Sequence, residues 1–232
     1  MEKNGILEGT VIWLYGAPYS GKTTFTTKFS RPAVLSLDGN AKFALGEDGK
    51  PAFKSEDIYV AKTLDKLNKA YSAILAKNDQ YDTLIIDPLD IIEQMVRYKV
   101  LDDAGVDDES DAGDFGKGWR LVREGTKKLL SQIVRQFEGT VVMISWEDEY
   151  TETDRLGREV SKFRPAINPK LLTDISGLTT MIVRAKIIED KTGKHYALSI
   201  QDKATEYGGT RISLNKTLVP NNFDKFMANI KN

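Results

Sequence analysis

The hydrophobic positions of this chain fall into short unbroken runs that alternate with longer amphipathic stretches. Runs of apolar and β-branched residues occur at 10–15, 33–37, 83–87 and 140–145. Such runs predict strands that are buried on both faces, which is typical of a parallel sheet covered by helices. The stretch from Thr63 to Ala76 repeats apolar residues every three or four positions and predicts a helix capped by Thr63. The pattern therefore predicts an α/β fold with a mainly parallel sheet.

The rest of the pattern adds further elements to this sheet. Helices are predicted at 22–30, 89–101, 118–137 and 221–230, and a short strand at 58–61. Segments 46–56 and 146–169 are rich in charged residues and turn formers and predict loops, the first with room for a small hairpin. Two β-prone runs at 179–188 and 196–201 flank a turn and predict an antiparallel hairpin at one edge of the sheet.

The first strand leads into a glycine-rich loop with the pattern of a phosphate-binding loop. The loop and the residue after it are Gly16, Ala17, Pro18, Tyr19, Ser20, Gly21, Lys22, Thr23 and Thr24. Glycines allow the backbone N–H groups to turn inward around a polyphosphate at the start of a helix. The lysine then reaches the β and γ phosphates, and the hydroxyl of Thr23 binds Mg²⁺. The alternative is a glycine-rich turn without a ligand.

Asp87 ends the third apolar run and is the expected partner of Thr23. A carboxylate at the end of a neighbouring strand holds Mg²⁺ through a bound water while the threonine binds the ion directly. The sequence therefore predicts ATP and Mg²⁺ as ligands, with Lys22 and Asp87 in catalytic roles. The alternative is a strand-end aspartate that caps the turn at Pro88.

Hydrolysis also requires a group that orients water, and several polar residues follow predicted strands. The candidates are Asp38, Asn40, Asp90 and Glu147. Ser145 ends the strand after Asp87 and is a candidate sensor of the γ-phosphate, although a strand-end serine satisfied by the backbone fits equally well. The sequence leaves the choice among these residues open.

The predicted loop at 146–169 carries a basic segment. Between residues 155 and 170 there are five basic side chains against one acidic side chain. Phosphate pairing and ring stacking are what a single-stranded nucleic acid requires, and an ordinary solvated loop is the alternative. The candidate DNA-binding residues are Arg155, Arg158, Lys162, Phe163 and Arg164.

Composition narrows the class of protein. Lys and Arg total 33 against 34 for Asp and Glu, so the net charge of −1 will not hold the whole chain on a polyanion. Cysteine is absent, which excludes a disulfide framework and thiolate metal sites. The first ten residues lack the apolar core of a signal peptide, and no long apolar run occurs. A cytoplasmic location is expected.

The order of these motifs resembles the core of RecA-type ATPases. Along the chain the motifs are the phosphate loop, 37–40, 59–76, 81–87 and 142–146. The phosphate loop and the strand that ends at Asp87 are the specific features. The segment Asp114 to Trp119 and the late hairpin are similar to the phage-encoded, RecA-like AAA-type proteins, some of which are single-strand annealing recombinases. The resemblance covers about residues 8–205. It implies a single RecA-like domain over 1–232, closed by 206–232, with ATP, Mg²⁺, single-stranded DNA and a homo-oligomeric ring or filament.

The resemblance also suggests roles for individual positions. It places the catalytic glutamate of RecA on Asn40 and the glutamine sensor at or beside Trp146. Lys203 and Arg211 lie in a stretch similar to one that reaches the γ-phosphate of a neighbouring subunit, which implies a finger acting in trans. The leading hypothesis is an ATPase acting on single-stranded DNA in phage recombination, annealing or strand pairing. Small-molecule or nucleoside kinases and slow nucleotide-switch interaction proteins are the alternatives.

Overall fold

The apolar runs form the centre of one mixed sheet in the computed structural model, which describes residues 5–46, 48–153, 155–200 and 205–231. The strands are β1 (Val11–Tyr15), β2 (Pro32–Ser36), β3 (Ile58–Val60), β4 (Thr83–Asp87), β5 (Thr140–Ser145), β6 (Glu147–Thr153), β7 (Glu159–Pro165), β8 (Met181–Asp190), β9 (Gly193–Ser199), β10 (Gly209–Thr210) and β11 (Leu218–Pro220). The helices are α1 (Lys22–Thr26), α2 (Leu64–Leu75), α3 (Asp90–Ala104), α4 (Lys117–Gln136), α5 (Pro169–Leu178) and α6 (Phe223–Met227).

The main sheet has the order β11-β9-β8-β1-β5-β4-β2-β3, and β10 pairs with the start of β8. The run from β8 to β3 is parallel, and the pairs β8–β9 and β9–β11 are antiparallel. The predicted α/β class and the predicted edge hairpin are therefore confirmed. Because β1, β5 and β4 are adjacent and parallel, the loops that follow them lie side by side at one edge of the sheet.

The two faces of the sheet bury different side chains because successive residues of a strand point to opposite faces. Trp13, Leu35 and Leu84 face a core completed by α2, α3, α4 and α5. Ile12 and Ile85 face a second core that includes side chains of α1 and α6. Both faces are apolar, which explains why the central strands are unbroken apolar runs. Among the helices that the structure describes, none is long and apolar enough to cross a membrane.

The prediction of a loop at 146–169 is wrong. This segment forms the β6–β7 hairpin, and α5 begins at Pro169 behind an Asn168 cap. The two strands pair in antiparallel register from Glu147 opposite Pro165 to Thr153 opposite Glu159, and ion pairs between them replace the apolar alternation from which a strand is predicted. Helix α1 also ends four residues before the predicted end at Ser30.

The cap of α2 provides a test of the local structure. The Thr63 side chain accepts a hydrogen bond from the backbone N–H of Lys66, as an N-cap residue does. Replacing Thr63 with Ala should therefore lower the free energy of unfolding by about 1 kcal/mol, measured by chemical denaturation. Thr63→Ser keeps the hydroxyl and should retain most of this stability. Equal losses in the two variants would show that the methyl group, and not the cap, matters.

Candidate active site

The phosphate loop connects β1 to α1 with a backbone that only glycine permits at two positions. A Cβ at Gly16 would lie 2.1 Å from the carbonyl oxygen of Ala185, so the loop begins in direct backbone contact with β8. Gly21 has a φ of 84° in the left-handed region and is the residue before α1. The loop therefore keeps the open concave backbone that anion binding requires.

Lys22 lies inside this loop. Its side chain is almost completely buried, and Nζ donates hydrogen bonds to the carbonyl oxygens of Gly16 at 2.6 Å and Ala17 at 2.8 Å. Burial lowers the pKa of Lys22, while Asp87 is the largest of the nearby charges that oppose this shift. An ammonium group has three donors, so one remains for an anion. The Oγ atom of Ser20 is also buried without a hydrogen-bond partner, which fits a loop built to contact a ligand.

Thr23 and Asp87 meet beside the loop, although they come from α1 and from the end of β4. The Thr23 hydroxyl donates to Oδ2 of Asp87 at 3.1 Å. Burial raises the pKa of Asp87 to about 6, and the charge of Asp38 adds to this effect. A hydroxyl and a carboxylate at this distance are the oxygen ligands that suit Mg²⁺, which takes one or two protein ligands together with phosphates and water. The residues present therefore fit the ion.

A cavity of about 640 Å³ opens next to the phosphate loop and α1. Its far wall comes from β9 and from the segment before α6, and Asn221 Nδ2 donates to the carbonyl oxygens of Ser20 at 3.2 Å and Gly21 at 3.3 Å. Tyr19 and Tyr196 present exposed rings at this cavity. The sequence analysis missed Tyr196 and Asn221, because no motif connects residues about 200 positions from the loop. The lining residues are Tyr19, Gly21, Lys22, Thr23, Thr24, Phe25, Lys28, Tyr196, Asn221, Asn222 and Phe223.

Two of the predicted catalytic candidates are engaged in hydrogen bonds at the ends of β2 and β5. Asp38 accepts from the backbone N–H of Asn40 at 2.9 Å and from its side-chain amide at 2.8 Å. Ser145 is fully buried, and its Oγ accepts from Trp13 Nε1 at 2.6 Å. Asp38 remains close enough to Asp87 to influence its charge. The structure therefore places both residues at the edge of the sheet where the loop lies.

Glu147 is bound to a buried arginine. Arg184 Nε and Nη2 donate to the two carboxylate oxygens of Glu147 at 2.6 and 3.1 Å, and Nη1 donates to Glu206 at 3.0 Å. Lys186 also donates to Glu206, at 2.5 Å. A bidentate pair with this geometry is among the stronger charge-assisted interactions. Both oxygens of Glu147 are thus occupied, which does not fit the predicted catalytic role.

Three of the predicted DNA-binding residues have partners within the β6–β7 hairpin or at its base. Lys162 pairs with Glu152, and Arg164 pairs with Asp148, across the β6–β7 hairpin. The guanidinium carbon of Arg184 lies 3.7 Å from the ring centroid of Phe163. These contacts hold the three residues in the hairpin and at its base, and their role in DNA binding stays a prediction. Arg155 and Arg158 lie exposed near the hairpin tip.

Of the two residues predicted to act in trans, the structure describes only Arg211. Lys203 lies outside the described residues. Arg211 follows β10, which pairs with the amino-terminal end of β8, and its side chain donates to the carbonyl oxygen of Gly177 at 3.1 Å. The phosphate loop lies at the opposite, carboxyl end of the parallel strands. Within one chain Arg211 is therefore remote from the candidate active site.

Comparison with known proteins identifies the kind of domain. A family model described as an AAA domain matches residues 8–212. A KaiC-like protein from the hyperthermophilic archaeon Pyrococcus horikoshii is similar in structure, with 15% identity, a TM-score of 0.51, and coverage of 92% of this chain and 90% of that chain. No curated protein matches the chain significantly.

Two further solved structures show weaker similarity. An ATPase of the type III secretion system of pathogenic bacteria has 11% identity and a TM-score of 0.45, and the match covers 77% of this chain and 51% of that chain. The RadB recombinase has 12% identity and a TM-score of 0.44, with 82% and 80% covered. At these levels of identity the likeness to the archaeal protein supports the fold and nothing finer.

The raised pKa of Asp87 gives a prediction for stability without nucleotide or Mg²⁺. In the unfolded chain this carboxyl ionises near its ordinary value, so between about pH 4 and 6 the folded state binds more protons. The contribution of Asp87 to stability is therefore greatest below pH 4 and is lost as the pH rises through about 6. Asp87→Asn should raise the free energy of unfolding at pH 7.5 by about 1 to 3 kcal/mol, at roughly 1.4 kcal/mol per pKa unit.

Denaturant titrations at pH 4 and pH 7.5 measure this difference in the presence of a chelator. The gap between Asp87→Asn and the wild type should close at pH 4, where both side chains are neutral. Glu56→Gln, at an exposed carboxylate away from the loop, is the matched control. An Asp87→Asn variant that is less stable than the wild type at pH 7.5 would contradict the prediction.

Proposed function

The chain belongs to the AAA domain family, and on that premise we propose that it is an ATPase that binds ATP with Mg²⁺ in the phosphate loop and hydrolyses it there. The observation that carries the proposal is the convergence of Lys22, Thr23 and Asp87 at one concave loop beside a cavity of about 640 Å³. Lys22 and Thr23 are consecutive at the start of α1, whereas Asp87 ends β4, and each of the three side chains has the chemistry that a triphosphate and its ion require.

Different groups of the site bind different parts of Mg·ATP. The loop backbone contributes N–H groups to the β and γ phosphates, and Lys22 exchanges its carbonyl partners for phosphate oxygens. Thr23 and Asp87 would hold Mg²⁺, and the ion would supply positive charge to the phosphates. The adjoining cavity is large enough for a nucleoside, and the Tyr196 ring offers it a flat wall.

The hairpin favours water over a second substrate as the phosphoryl acceptor. If the protein were a small-molecule or nucleoside kinase, segment 146–169 would be expected to form a mobile lid whose arginines contact the phosphates. Instead, Arg164 is held by Asp148, and the base of the hairpin is held by the Arg184 ion pairs. These contacts support hydrolysis, the leading sequence hypothesis, over transfer to a small molecule.

We further propose that the protein acts on single-stranded DNA as a homo-oligomer, as the phage-encoded annealing proteins that it resembles do. The support is local: the hairpin projects from the carboxyl end of β5, next to the nucleotide loop, and Arg155 and Arg158 lie near its tip. Lys203 and Arg211 remain candidates for a contact with a neighbouring subunit. The hairpin from residue 147 to 165 has six acidic and four basic residues, so the hairpin as a whole does not attract a polyanion. The proposed DNA contact is therefore confined to its tip.

The first test removes the loop ammonium. Lys22→Ala should lower the affinity for Mg·ATP at least tenfold, because a charge-assisted contact to phosphate in a buried site contributes about 1.5 to 3 kcal/mol. Isothermal titration calorimetry measures the affinity, and circular dichroism checks the fold. Lys66→Ala removes an exposed lysine from α2 and should bind ATP like the wild type. Unchanged affinity in Lys22→Ala would defeat the proposed binding site.

The second test reverses the charges near the hairpin tip. The double variant Arg155→Glu, Arg158→Glu should bind single-stranded DNA more weakly. Its plot of log affinity against log salt should be shallower by about 1.4, since each lost phosphate contact removes about 0.7 from the slope. Lys66→Glu, Lys69→Glu on α2 makes the same change in net charge and is the control. Fluorescence anisotropy measures both, and equal slopes in the two double variants would remove the tip from the interface.

A further inference from the structure

A carboxylate can act as the base in hydrolysis when one of its oxygens can accept the hydrogen bond of the attacking water. Two of the carboxylates that sequence analysis put forward fail this requirement. Both oxygens of Glu147 accept from Arg184, and both oxygens of Asp38 accept from Asn40. Releasing Glu147 would also leave the buried charge of Arg184 with fewer partners, which is costly.

Asp90 differs from both. It is the first residue of α3 and is 7% exposed. Its Oδ2 accepts from the backbone N–H of Trp146 at 2.9 Å, while Oδ1 is buried and has no hydrogen-bond partner among the described residues. A buried carboxylate oxygen without a donor is destabilising and calls for a functional explanation. One oxygen is anchored, and the other is available.

The anchor places Asp90 at the carboxyl end of β5, beside the candidate active site. Trp146 follows β5, and β5 lies between β1, which leads into the phosphate loop, and β4, which ends in Asp87. The carboxylate is close enough to Lys22 and Asp87 for their charges to affect it. It therefore lies within electrostatic reach of the lysine of the phosphate loop and of the aspartate that meets Thr23.

The surroundings of Asp90 tune it for proton transfer. Burial raises its pKa to about 7, and the N–H of Trp146 and the charge of Lys22 oppose this shift. A base is most effective when its pKa lies near the working pH. Asp90 also lines a cleft together with Glu93 and Trp119. The other charged groups of this cleft form two ion pairs, Arg97–Glu109 and Arg164–Asp148.

We propose that Asp90 is the catalytic base of the ATP hydrolysis put forward above, and that its Oδ1 accepts a proton from the attacking water. As the water oxygen forms a bond to the γ-phosphorus, the bond from that phosphorus to the β,γ-bridging oxygen breaks. The electron pair of the broken bond stays on ADP. The proton passes to Asp90 and from there to the product phosphate or to solvent.

The test is the isosteric variant Asp90→Asn. Its amide oxygen can still accept from Trp146, so the fold and the anchor are kept, but the side chain cannot take up a proton. We expect kcat to fall at least about 100-fold, while the Kd for Mg·ATP stays near the wild-type value. The acid limb of the wild-type pH profile of kcat should be absent in the residual activity of the variant.

Glu93→Gln is the matched control, because Glu93 lies one turn further along α3 and lines the same cleft. It should retain the wild-type kcat and Kd. Wild-type turnover by Asp90→Asn, or a loss explained by weaker ATP binding, would overturn the role of Asp90. If the wild type itself binds ATP through Lys22 but does not hydrolyse it, the proposed hydrolysis fails first, and the inference fails with it.

Discussion

The arrangement of three buried parallel strands is the constraint on which the rest of the structure depends. Strands β1, β5 and β4 are adjacent and in register, so the chain segments that follow them emerge at one edge. This alone brings a loop at 16–23 and a carboxylate at 87 to within a hydrogen bond of each other. The strands can be adjacent only because both faces of the sheet are covered, and their apolar sequences reflect that burial.

Burial has a second consequence, because it makes every charge at this edge depend on a partner. Arg184 illustrates this, since it pairs with Glu147 and Glu206 and stacks on Phe163. Such a buried cluster is weak evidence for stability, because desolvation offsets the attraction. Its clearer effect is geometric: it holds the base of the β6–β7 hairpin against β8, and β8 contacts the start of the phosphate loop through Ala185.

The sequence predicts best where one physical signal dominates. The bounds of β4 and β5 are correct to the residue because burial on both faces leaves an unbroken apolar run between polar ends. The hairpin was missed because Glu147–Thr153 is polar at nearly every position and is stabilised by ion pairs with the opposite strand. The contribution of Asn221 to the loop was missed for a related reason, since only the folded chain brings it to Ser20 and Gly21.

Carboxyl side chains at the same edge of the sheet differ in chemistry because their hydrogen-bond partners differ. This limits the catalytic roles that can be assigned from sequence alone. A carboxylate whose two oxygens accept from a guanidinium, as at Glu147, has a structural role, whereas one beside a hydroxyl and an ammonium is suited to an ion, as at Asp87. Asp90 combines burial, one backbone donor and one free oxygen. Residue type and position after a strand do not separate these acids in the sequence, but the number of donors facing each oxygen does. The count of hydrogen-bond partners, which only the fold determines, therefore separates a base from a structural acid at this edge.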